Sequence, residues 1–99
     1  MAAEKLSAAE LDSALAELPF WQKLSGRDAL ARSFKFKNFR QAFAFMTEVA
    51  LLAEKADHHP EWTNVYNRLD MVLSTHEAGG VSERDIALAR EIEKIPLRA

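Results

Sequence analysis

Residues 38–65, NFRQAFAFMTEVALLAEKADHHPEWTNV, decide the fold, because inside this stretch the apolar period changes from that of a helix to that of a strand. Asn38 has the short polar side chain that caps a helix start. Phe39, Ala42, Phe43, Met46, Val49, Ala50 and Ala53 then recur at three- and four-residue intervals as one apolar stripe. Phe45 and Leu52 widen that stripe beyond the roughly 100° that packing on a single core requires, which predicts burial of part of the helix against another subunit. Pro60 disfavours helical geometry in the residue ahead of it, so the helix must end before it, with His58-His59 at its C-terminus. Beyond the proline, Trp62 to Val65 reads as a strand and Tyr66-Asn67 as a turn. Leu69, Met71 and Leu73 then alternate with Asp70, Val72 and Ser74 as the next strand.

Upstream, Ser7 and Glu10 have the spacing of a capping box, and Leu11, Ala14, Leu15 and Leu18 carry an amphipathic helix as far as Pro19. From Phe20 to Phe36 the pattern differs. Ser25-Gly26-Arg27-Asp28 is turn-like and Leu30, Arg32, Phe34 and Phe36 have period two, so a hairpin of short strands is expected. Downstream, Gly79-Gly80 breaks the chain. Ser82 and Asp85 can cap a last helix with Ile86, Ala89, Ile92 and Ile95 on one face, ending at Pro96. The order is α-β-β-α-β-β-α. The expected architecture is one α+β domain over residues 1–99, a four-stranded antiparallel sheet with three helices packed on one face.

Ninety-nine residues, 48% hydrophobic and 28% charged, make one globular domain with a modest core. A chain of this size buries only about two thirds of its unfolded surface, so oligomerisation is a natural supplement. The net charge of −2, with acids and bases interspersed, offers no basic stripe for a phosphate backbone, which argues against direct nucleic-acid binding. The absence of cysteine removes disulfides, thiolate metal sites and cysteine nucleophiles. The start, Met1 to Ser7, lacks an apolar signal core, and no apolar run approaches the roughly 20 residues that span a bilayer, so a cytoplasmic protein without membrane contact is expected.

All three histidines sit in two short polar stretches, residues 56–62 and 74–77. Histidine is the side chain that, unperturbed, both gives and takes a proton near neutral pH, so His58, His59 and His76 are candidates for proton transfer or ligand binding. The plainer alternative is a set of loop and helix-end histidines. Glu54, one helical turn before His58, can orient that imidazole or form an exposed i,i+4 pair. Asp57 can accept from a ligand or simply favour the turn. Ser74 and Thr75 supply hydroxyls beside His76, Trp62 can wall a pocket or join the core, and Asp85 can serve a site or act only as a capping acid. Three histidines can also bind zinc, but adjacent histidines diverge when extended and no His-Glu-x-x-His helix is present, so no metal is expected.

The run Phe34-Lys35-Phe36-Lys37-Asn38-Phe39, then Glu54 through Asp57-His58-His59-Pro60-Glu61-Trp62 to Asn64-Val65-Tyr66-Asn67, then Leu73-Ser74-Thr75-His76-Glu77 and Ser82-Glu83-Arg84-Asp85, resembles the pterin-4a-carbinolamine dehydratase family from about Trp21 onward. The resemblance implies removal of water from a 4a-hydroxytetrahydropterin to give a quinonoid dihydropterin, in support of tetrahydrobiopterin recycling. It implies that His58 and His76 handle protons on the leaving hydroxyl, that His59 mainly holds the pterin, and that Asp57 is a ligand contact. Asp85 is also an active-site position in the family. No cofactor is implied. It further implies a homodimer or a tetramer and a metabolic link to an aromatic amino-acid hydroxylase. Animal relatives also act as a dimerisation cofactor of a homeodomain transcription factor, and that alternative role would use the face of the second helix. The position two beyond His76, often cysteine in animal forms, is Ala78 here.

Overall fold

The computed structural model describes residues 3–97. Its elements are α1 (Ala8–Ala16), β1 (Gln22–Lys23), β2 (Leu30–Lys35), α2 (Phe39–Ala56), β3 (Glu61–Val65), β4 (Arg68–Leu73), a 3-10 turn (His76–Ala78) and α3 (Glu83–Glu93). The helices begin where polar side chains satisfy their orphan N–H groups. Ser7 Oγ accepts from the Glu10 N–H while the Glu10 carboxylate accepts from the Ser7 N–H. Asn38 Oδ1 accepts from the Gln41 N–H at 2.9 Å.

The four strands form one antiparallel sheet in the order β1-β2-β4-β3. Leu30 and Phe34 of β2 and Leu69, Met71 and Leu73 of β4 bury one face, against which the three helices bring Leu11, Phe45, Val49, Ile86, Ala89 and Ile92. Arg32 shares the period-two face of its strand with these apolar residues, and a charge there needs partners. Its guanidinium ion-pairs with Glu93, which also accepts from the Trp21 indole N–H at 3.0 Å. The same guanidinium stacks over the rings of Phe20 and Phe34, 4.7 and 4.2 Å from their centroids.

The second helix differs from the sequence expectation in which of its apolar sides faces inward. Phe45 and Leu52, expected to widen the stripe toward a partner, face inward instead: Phe45 is a core residue beside Val49, and Leu52 packs against the core. The Phe45 ring lies 4.8 Å from Phe34 and 5.2 Å from Phe36, centroid to centroid, so the aromatic pair offered by β2 and its extension selects this side. Phe39 and Phe43, expected in the core, are instead 47% and 54% exposed, and Leu51 is 67% exposed. A charge at Phe45 would therefore strike the core rather than an interface.

Strand register brings three connections to one end of the sheet. Leu30 pairs with Leu73 and Glu61 with Val72, so the β1–β2 turn, the entry to β3 and the exit from β4 meet there. These connections carry Arg27-Asp28, His58-His59 and Ser74-Thr75-His76 respectively.

Candidate active site

The α2 helix ends at Asp57, which adopts the left-handed conformation (φ 51°, ψ 43°) that aspartate tolerates better than most residues. The His58 N–H returns to the Ala53 carbonyl at 3.0 Å, the closure that satisfies carbonyls of a last helical turn. This reversal sends the two histidines in opposite directions. His58 is buried, whereas the His59 side chain is 53% exposed.

His58 Nε2 lies 2.5 Å from Asp85 Oδ1, and Asp85 is fully buried in the first turn of α3. The other carboxylate oxygen accepts from the Thr75 hydroxyl at 2.8 Å and from the Ser82 N–H at 2.9 Å. A carboxylate acts as acceptor throughout, so His58 carries its proton on Nε2. Because the single Thr75 hydroxyl hydrogen points to Asp85, the Ser82 hydroxyl donates to Thr75 across 2.6 Å and itself accepts from the Arg84 N–H. No buried side-chain nitrogen or oxygen among the described residues lacks a partner. Among the described residues the His58 ring is bonded only through Nε2, so Nδ1 is the nitrogen left for an incoming group.

Glu54 does not pair with His58. The left-handed residue at Asp57 breaks the i,i+4 relation, and Glu54 Oε1 instead meets His59 Nε2 at 2.5 Å on the exposed rim. His76 opens the 3-10 turn and is exposed. It lines a recess of about 280 Å³ with Arg27, Glu61, Ser74 and Gly80. His58 lines a different recess of about 400 Å³ with Leu52, Lys55, Arg84 and Leu88. The two meet through bonded groups rather than directly, because Thr75, next to His76, shares the Asp85 carboxylate with His58. The Thr75 hydroxyl is engaged by Asp85 and Ser82, and the Ser74 hydroxyl donates to the Asp28 carbonyl at 3.0 Å. Trp62 lies half-buried opposite Met71, packed on the core and lining neither recess, and Asp57 is exposed. No three His, Asp or Glu side chains among the described residues are grouped as metal ligands.

Three residues at this end were given no role in the sequence: Arg27 and Asp28 read only as part of a turn, and Glu61 only as a position within the family-like stretch. Arg27 makes a two-pronged contact with Glu61, Nη1 donating to Oε1 at 2.9 Å and Nη2 to Oε2. That contact raises the guanidinium further above its ordinary value and holds the Glu61 carboxyl below its own. The Asp28 carboxyl is likewise held down, first by the Val81 N–H and then by Lys5. Asp70, on β4, is held down first by the Ser33 hydroxyl.

A group whose folded pKa is depressed contributes stability above its unfolded value and loses it as pH falls through the folded value. The thermal midpoint should therefore fall as pH is lowered from about 5 toward 2, and fall less steeply in Asp28→Asn. Scanning calorimetry across that range checks this. Identical slopes for the variant and the parent would show that Asp28 carries none of the dependence.

The family model for pterin 4 alpha carbinolamine dehydratase matches residues 4–95. A relative from Rhizorhabdus wittichii, whose name assigns it provisionally as a pterin-4-alpha-carbinolamine dehydratase, is 57% identical over 96% of this chain and 98% of its own. One from Brucella ovis with the same name is 54% identical over the same shares. The crystal structure of a transcriptional coactivator/pterin dehydratase from Brucella melitensis superposes with a TM-score of 0.88 at 53% identity, covering 91% of this chain and 96% of that one. A pterin dehydratase-like protein, identified as a RuBisCO assembly factor in the alpha-carboxysome, has a TM-score of 0.63 at 23% identity over 74% of this chain and 84% of that one, a likeness of fold alone.

Proposed function

The chain belongs to the pterin 4 alpha carbinolamine dehydratase family of hydro-lyases, and from that premise we propose that His58 and His76 carry its proton transfers. Dehydration of a 4a-hydroxytetrahydropterin breaks the C4a–O bond and the N5–H bond. The electrons of the N–H bond become the C4a=N5 double bond, and the products are a quinonoid dihydropterin and water. Hydroxide is a poor leaving group until its oxygen is protonated, and N5 must give up its proton, so one acid and one base suffice.

The observation that carries this reading is the buried Asp85 carboxylate against His58 Nε2. An acid in that place fixes the tautomer and ring plane of a histidine and aims its other nitrogen at substrate. Asp85 also holds Thr75, so the group that orients His58 sets the start of the loop presenting His76. His59, tied to Glu54 at the rim, is suited to holding the pterin ring, with Asp57 beside it for the ring's amino edge. The quinonoid product requires a reductase to restore the tetrahydropterin, and the family resemblance supports reading the reaction as part of tetrahydrobiopterin recycling linked to an aromatic amino-acid hydroxylase.

His58→Ala or His76→Ala should lower turnover of synthetic 4a-hydroxytetrahydropterin by roughly 10²-fold or more. His59→Ala should act mainly on KM. Steady-state rates of the folded variants check this, and wild-type turnover in both the His58 and His76 variants would refute the pairing.

The same reading includes a homo-oligomer, dimer or tetramer, built on the outer side of α2. Phe39 and Phe43 pack their rings 5.6 Å apart there, and Leu51 continues the strip toward the C-terminus. The Thr47 hydroxyl between them is turned back to the Phe43 carbonyl. An open apolar strip of this kind calls for a partner, and a second copy of α2 offers the matching strip. Sedimentation at micromolar concentration should show an oligomer that Phe43→Glu or Leu51→Glu converts to monomer. A monomeric parent protein would overturn the assignment.

A further inference from the structure

Two side chains of the β1–β2 turn reach the two segments that carry the histidines, and neither belongs to the acid–base set. Arg27 extends to Glu61, two residues after His59, and grips both oxygens of its carboxylate. Asp28 holds both ends of the loop that presents His76. Its backbone carbonyl accepts from the Ser74 hydroxyl at 3.0 Å, and its Oδ1 accepts from the Val81 N–H at 3.0 Å, while Lys5 pairs with Oδ2. Between those ends the loop is closed by reciprocal Thr75–Gly80 backbone bonds of 2.9 and 3.3 Å. Gly80 lies directly on the Asp28 carboxylate, where an added Cβ would sit 2.6 Å from Cγ, so this position admits no side chain unless Asp28 is displaced. The turn is itself held by the Leu24 N–H on the Ala29 carbonyl and by Gly26 at φ 79°.

We infer that the Arg27-Asp28 turn is the positioning element of the site, with Asp28 fixing the His76 loop and Arg27 setting its separation from the His58-His59 segment. The inference rests on reading His58 and His76 as a pair. Groups that act on adjacent atoms of one substrate must be held closely, and a displacement of about 1 Å is enough to cost a large share of the rate. The tie through Thr75 and Asp85 anchors the start of the loop to α3, and the Asp28 carboxylate on the Val81 N–H anchors its far end to the β1–β2 turn. An exposed ion pair contributes little to stability, so activity lost on breaking Arg27–Glu61 without loss of fold separates positioning from stabilisation.

The test uses the full chain and synthetic 4a-hydroxytetrahydropterin, with fold monitored by circular dichroism. Asp28→Ala should lower kcat roughly 10-fold or more with KM little changed, and Asp28→Asn, which keeps an acceptor for Val81, should recover most of it. Arg27→Glu and Glu61→Arg should each lose activity, and the double exchange should regain it. In a His76→Ala background Asp28→Ala should have no further effect, because it acts through His76. Should Asp28→Ala fail to fold, the exposed Arg27–Glu61 exchange decides alone. Wild-type kcat in the folded turn variants, or losses that multiply with that of His76→Ala, would overturn the inference while leaving the histidine pair intact. A His76→Ala protein that keeps the parent rate would sink the pair and the inference together.

Discussion

One buried carboxylate organises this end of the molecule. Asp85 accepts from the His58 ring, the Thr75 hydroxyl and the Ser82 backbone at once, and those three donors come from the end of α2, the exit of β4 and the start of α3. A buried charge is tolerated only when it is fully hydrogen-bonded, so the three elements must arrive together for the fold to be stable. Stability and site geometry are then the same requirement. Removing any one donor would leave the carboxylate under-satisfied and would also release the histidine or its neighbour.

Much of the fold was legible because local signals agreed with one another. Ser7 with Glu10, Asn38, and Ser82 with Asp85 marked helix starts, and alternation through Leu30, Phe34, Leu69, Met71 and Leu73 marked the buried sheet face. The orientation of α2 was not legible. The helix is apolar on two sides, and hydrophobicity does not say which one meets the sheet. The Phe34 and Phe36 rings decide that by receiving Phe45, a contact between distant segments that no local period encodes. The Arg32–Glu93 pair was hidden for the same reason, since its partners are 61 residues apart.

The histidines stood out in the sequence because of their type and clustering, but their partners did not. Asp85 read both as a capping acid, which it is, and as an active-site position of the resembling family, but no local pattern pairs its other oxygen with His58. Glu54 read as a partner of His58 because four residues separate them on an unbroken helix. The left-handed turn at Asp57 rotates His58 away and leaves His59 as the one Glu54 meets. Arg27 and Asp28 read only as a turn, since strand register, not sequence, brings that turn beside the histidines.

Asp85 against His58 Nε2 puts the ring proton on that nitrogen and leaves Nδ1 unbonded among the described residues. Long-range ¹⁵N–¹H correlation spectra of the histidine-labelled protein, recorded where His58 is neutral, report that tautomer directly. The Nε2–H form is expected for His58, lost or mixed in Asp85→Asn. A His58 ring in the Nδ1–H form, or one whose signals ignore the Asp85 substitution, would contradict it.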